Sequence, residues 1–102
     1  MDMNQMMKQA RKMQEQLAGV QDDLTKTEVS ASAGGGMVKV TGTADMEITS
    51  ITIDPESLDP DDVELLQDSI MAAVNECLSN AQQIANQRMA DVAGGMNIPG
   101  LF

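Results

Sequence analysis

Between Met3 and Leu24, apolar residues recur at steps of three and four: Met3, Met6, Met7, Ala10, Met13, Leu17, Val20 and Leu24. At about 100° per residue they occupy an arc of roughly 140°, which predicts an amphipathic helix over residues 3–26. The period then shortens. Residues 28–33 alternate Val29 with small side chains, 37–42 set Met37, Val38 and Val40 against Lys39 and Thr41, and 47–54 alternate Ile48, Ile51 and Ile53 with Thr and Ser. These read as three short antiparallel strands, divided by Gly34-Gly35-Gly36 and by a turn over 42–46. The step from Ile48 to Ile51 breaks the period of two and predicts a bulge or a shifted start.

Residues 55–60 form a linker, and helical spacing then returns in Val63, Leu66, Ile70, Ala73, Val74, Cys77, Ala81, Ile84 and Val92. Asp59 suits an N-cap, Pro60 a first helical position, and Asp61 and Asp62 the positive end of the helix dipole. A helix from about 60 to 93 is expected, stopped by Gly94-Gly95, with 94–102 as a flexible tail. The result is one α+β domain over 1–93, an α-β-β-β-α chain with a three-stranded meander between two long helices.

A helix of thirty-odd residues is roughly 50 Å long, more than a core of this size can cover. An open sheet also leaves edges. Both features predict that a second copy of the chain supplies the missing partner, as a homodimer.

The formal net charge is −10 and is unevenly spread. Residues 1–27 hold four acids and four bases, whereas 28–102 carry twelve acids against Lys39 and Arg88. Residues 3–14 contain Lys8, Arg11 and Lys12 and no acid, and these three fall within about 100° of one another, opposite the apolar arc. Glu15 and Asp22 oppose Lys26 further along that face, so the cationic patch is short. An ordinary solvated surface explains three such charges on their own.

Enzymatic chemistry has little to stand on. The chain lacks histidine, and its single cysteine, Cys77, sits in the middle of an apolar stripe. The acids at 54–64 do not follow calcium-loop spacing and serve as turn and helix caps. No enzyme activity, cofactor or metal is expected. One aromatic residue, Phe102, also excludes base stacking on several rings as a way of binding single strands. No apolar run approaches the roughly 20 residues of a membrane span. A lone cysteine suits a reducing compartment, and the chain is expected to be cytoplasmic.

Gly34, Gly36, Val38-Lys39-Val40, Gly42 and Ile53-Asp54-Pro55 resemble the central signature of the YbaB/EbfC family of nucleoid-associated proteins. The opening Met7-Lys-Gln-Ala-Arg-Lys-Met-Gln14 is similar to the family's first helix, and Gly95-Met-Asn-Ile-Pro-Gly-Leu101 to its tail. The resemblance implies an α-β-β-β-α homodimer whose strands meet in a central layer and whose projecting helical arms grip duplex DNA in the nucleoid. Under that reading the candidate DNA contacts are Lys8, Arg11, Lys12, Lys26 and Arg88, with the first three leading. Gln5, Gln9 and Gln16 border them. Arg88 falls inside the apolar stripe, so it either snorkels from a contact or lies on a free end of the helix. Few cations imply weak, largely non-specific binding that fades as salt rises. The competing reading is an adaptor that binds proteins of DNA recombination or repair and does not touch DNA.

Overall fold

A computed structural model describes residues 2–95; the expected tail beyond Gly95 lies outside them. The order is α1 (Met3–Lys26), β1 (Glu28–Ala33), β2 (Val38–Thr43), β3 (Glu47–Ile53) and α2 (Val63–Gly95), the expected α-β-β-β-α fold. The molecule is long and thin, 70 × 25 × 15 Å. Its radius of gyration is 20.0 Å, against about 13 Å for a compact chain of 100 residues.

Asp2 caps α1 by accepting from the Asn4 N–H at 2.6 Å, and the Thr27 N–H closes the helix on the Leu24 carbonyl. The three strands form an antiparallel sheet in the order β1-β2-β3. Three glycines at positive φ, Gly34, Gly35 and Gly36, make the first hairpin turn. The anticipated irregularity is present. Thr41 pairs with Ser50 and Gly42 with Ile48, so β3 contributes the extra residue Thr49. Ile48 and Ile51 thereby point to the same face despite their odd spacing.

The core forms where α2 lies on β1 and β2. Ser69, Ala73, Cys77 and Ala81 are buried at every fourth position of α2, and their small size brings the helix close to Val29, Val38 and Val40. Gly34 shares in this close approach, since a Cβ there would meet the Ser69 side chain. Leu24 is the only buried residue of α1, and the Ala44 N–H donates to the Thr27 carbonyl to tie the second hairpin to the end of that helix.

Both expected ends of α2 need correction. The helix begins at Val63 rather than near 60, and its cap is Asp62, which accepts from the Leu65 N–H at 3.0 Å. Asp59 and Pro60 belong instead to a preceding turn, in which the Asp59 carbonyl accepts from the Asp62 N–H and its side chain from the Asp61 N–H. Asp at the first and Pro at the second position suit a β-turn as well as they suit a helix start. Val63, counted in the apolar stripe, is 55% exposed. At the other end Gly94 stays in the helix, because it does not take the positive φ of a glycine cap.

Candidate nucleic-acid interface

From Met3 to Gln16 every α1 side chain is exposed; Leu17 and Val20 are half-buried, and only Leu24 reaches the core. The helix is therefore anchored at its carboxyl end. Its position along α2 is marked by Arg88, whose Nη1 lies 4.0 Å from Oδ2 of Asp23. Val20 and Ile84 both pack onto the core, and a molecule 70 Å long, against roughly 50 Å for α2 alone, has α1 running opposite to α2 and projecting past its end.

At about 1.5 Å per residue, α2 extends roughly 10 Å past Arg88 to Gly95, while α1 extends roughly 30 Å from Asp23 to Met3. The amino end of α1 thus overhangs the end of α2 by about 20 Å. That overhang, added to the roughly 50 Å length of α2, accounts for the 70 Å long dimension.

Lys8, Arg11 and Lys12 all lie on the overhang and are exposed. Among the described residues, ion pairs form at Lys26–Asp22 and Arg88–Asp23 and nowhere else, so no carboxylate engages the three arm cations. Asn4 joins them. It sits one turn before Lys8, and Asn4, Met7, Lys8 and Arg11 line one shallow hollow. Asn4 is not among the contacts expected from the sequence, although its helical angle places it within the cationic face.

Lys26 and Arg88 stand apart from this group. Lys26 is fourteen residues beyond Lys12, roughly 21 Å along the helix. It donates to Asp22 at 3.0 Å, and that hydrogen bond, with the carboxylate's charge, raises its pKa above the ordinary lysine value. Arg88 sits beside Asp23 at the base of the arm. The structure therefore brings Lys8, Arg11 and Lys12 together and sets Lys26 and Arg88 in a separate cluster of mixed sign. Lys39 is exposed on the outer face of the sheet, above a shallow hollow it shares with Ser30, Ser32 and Glu76.

The acidic segment is occupied with backbone capping. Asp54 accepts from the Glu56 N–H and the Ser57 hydroxyl, while Asp59 and Asp62 cap the turn and helix already described. Among the described residues no group of three or more potential ligands converges on a metal position. No helix among them is long and apolar enough to cross a membrane.

A thin antiparallel meander backed by one long helix, with a second helix overhanging as a cationic arm, defines a class of helix-armed α+β binding modules. The chain belongs to the YbaB/EbfC DNA-binding family, whose model matches residues 1–96. A nucleoid-associated protein of Alkaliphilus metalliredigens is 52% identical over 101 residues, covering 99% of this chain and 89% of the relative. One from Pelotomaculum thermopropionicum is 50% identical over 101 residues, with coverages of 99% and 96%. The crystal structure of protein HP0035 from Helicobacter pylori superimposes with a TM-score of 0.74 at 24% identity, covering 94% of this chain and 97% of that one. At that identity the likeness speaks for the fold alone.

Proposed function

We propose that this chain is a nucleoid-associated protein that binds duplex DNA weakly and with little sequence preference, as a homodimer, through the overhanging arm of α1. The observation that carries the reading is the exposed group Lys8, Arg11 and Lys12, which has no carboxylate partner among the described residues. An unpaired cation can neutralise a phosphate and release its counterion, whereas Lys26 and Arg88 must first give up Asp22 and Asp23. Asn4 adds a donor suited to a phosphate oxygen. Membership of the family and the names of the relatives support DNA as the partner and the nucleoid of the cytoplasm as the place.

The dimer reading rests on the β3 side of the molecule. Asn80 of α2 donates to the Ser30 carbonyl at 3.1 Å, which fixes that flank of the helix over β1. The opposite flank, bearing Met71, Val74 and Leu78, turns toward β3. Ile48, Ile51 and Ile53 share the inner face of β3, yet Ile51 is 47% exposed and Met71 59% exposed. A second copy pairing here covers both the apolar flank and the free edge of β3.

An electrophoretic shift with duplex DNA at about 20 mM salt tests the function, comparing the wild type with Lys8/Arg11/Lys12→Glu. Binding by the wild type and its loss in the variant are expected. No shift by the wild type would move the balance to the adaptor reading, and an equal shift by both would remove the arm from the interface.

A further inference from the structure

We propose that the methionine face of the α1 arm docks on the same face of a second copy, the two arms packing antiparallel as a short coiled coil. The seam for this contact runs the length of α1. Met3, Ala10, Leu17 and Leu24 fall seven residues apart, and Met6, Met13 and Val20 fill the intervening positions, as the seam of a coiled coil requires. Its two ends are treated differently. Leu24 is buried and Leu17 and Val20 are half-buried within the chain's own fold. Met3 is 77% exposed, Met6 55% and Met13 45%, with Met7 beside them at 52%. Ala10 is exposed among them. Apolar strips of this kind mark contact surfaces.

Charge selects a second copy as the occupant. A chain of net charge −10 repels its like at long range, so a self-contact needs a neutral surface. The residues that flank the bare seam are Met7, Gln9, Gln14 and Gln16, none of them ionisable. Like charges at these positions would oppose pairing. Lys8, Arg11, Lys12 and Glu15 all fall on the outward side of the helix.

Length selects the register. With Arg88 level with Asp23, the end of α2 comes level with about Gln16 on α1. An incoming arm therefore has the seam from Met3 to Met13 to lie on. Met3 against the partner's Met13, and Met6 against the partner's Ala10, fits that space and repeats by symmetry in the other half. This register also sets a long side chain against the small one at Ala10, as close packing of two helices requires. A slide of one heptad, to Met3 against the partner's Val20, would drive each arm into the other chain's α2. In the proposed register each arm stops where that α2 ends, so one helix fills the overhang of roughly 20 Å.

Pairing leaves the cationic faces on opposite sides of the two arms. Under the DNA reading proposed above, paired arms can therefore hold two separate duplexes. The pairing itself does not rest on that reading, and its test contains no DNA.

The test uses full-length chains in a Cys77→Ala background, each with one new thiol on the exposed part of α1. Met3→Cys and Met13→Cys chains are mixed and oxidised mildly, and disulfide-linked species are counted over time. The mixed pair should link about tenfold or more faster than either variant alone, because only the mixed pair brings two thiols within bonding distance. Met3→Cys mixed with Glu15→Cys, whose thiol faces outward, gives the rate of chance collision. Adding Ala10→Glu to both partners should return the fast pair to that rate, while circular dichroism stays that of the wild type. A mixed pair no faster than chance collision would overturn the proposal and give the strip to a different partner. Fastest linkage of Met3→Cys to itself would also overturn it, since that is the signature of parallel arms. Either failure leaves the DNA reading to stand or fall on its own assay.

Discussion

The guanidinium of Arg88 and the carboxylate of Asp23, 4.0 Å apart, link the two long helices at the point where the molecule changes from a packed domain into an arm. Arg88 has the helical angle of a core residue, but the sheet ends before reaching it and its neighbour is α1. Its stem follows the apolar stripe and its charged head turns outward, with 41% of the side chain exposed. So open a pair contributes little to stability, well under about 1 kcal/mol. Arg88→Gln should therefore leave the thermal midpoint within a few degrees of wild type. It should also weaken DNA binding far less than neutralising Lys8 and Arg11, as a side-by-side titration would show.

Gly42 is where the sheet tolerates no side chain. Its Cβ would run into the Glu47 carbonyl oxygen, a backbone atom fixed by the bulge between Thr41 and Gly42. Relief requires the bulge itself to move. Gly42→Ala should cost about 2–3 kcal/mol, in the range of overpacked cores. Urea unfolding measures this, and a midpoint equal to wild type would mean that the bulge is plastic.

Met46 presents the opposite case, as the one non-glycine residue at positive φ (73°) among those described. The left-handed region costs an L-residue roughly 1–2 kcal/mol. Its side chain is 46% exposed, so little packing offsets the strain. Met46→Gly should stabilise the fold by about 0.5–1 kcal/mol after the added freedom of the unfolded chain is deducted. Destabilisation in a thermal melt would instead show that the Met46 side chain is buried in the dimer.

These two glycine-related sites show what kind of information the sequence carried. Alternation located all three strands, and the odd step from Ile48 to Ile51 announced the bulge, because side-chain direction is a local property. The start of α2 was harder to locate, since Asp59-Pro60 is as good a turn as a helix entry and the choice depends on backbone hydrogen bonds. The cationic group was legible as a helical face. Its isolation was not, because the freedom of Lys8 and Arg11 and the engagement of Lys26 and Arg88 depend on where α2 ends and on how Asp22 and Asp23 are used. The strain at Met46 carried no sequence signal.

Cys77 should behave as a packing residue with a pH signature. It is buried, its Sγ lies 3.9 Å from the Val29 carbonyl, and burial raises its thiol pKa. The folded chain thus keeps a proton that the unfolded chain releases. Its contribution to stability is complete below the unfolded thiol's pKa, about 8.5, and disappears as pH rises through the higher folded value. Denaturation midpoints between about pH 8.5 and 10 should fall more steeply for the wild type than for Cys77→Ala. The native thiol should react slowly with a disulfide reagent and fully once unfolded. Fast native reaction would mean that α2 lifts readily from the sheet.

The arm also makes a quantitative prediction about salt. A homodimer presents three unpaired cations from each chain, six in all if both arms reach one duplex. Each neutralised phosphate adds about 0.9 to the slope of log affinity against log salt, giving a slope near −5 and a loss of roughly a thousandfold between 50 and 200 mM. Replacing Lys8, Arg11 and Lys12 by Gln should remove most of that slope. Had Lys26 and Arg88 been the principal contacts, the same replacement would leave both the slope and the affinity nearly intact. A titration series by fluorescence anisotropy therefore separates the two sets of cations by slope as well as by affinity. A wild-type slope near −3 would mean that one arm, not two, engages the duplex at a time.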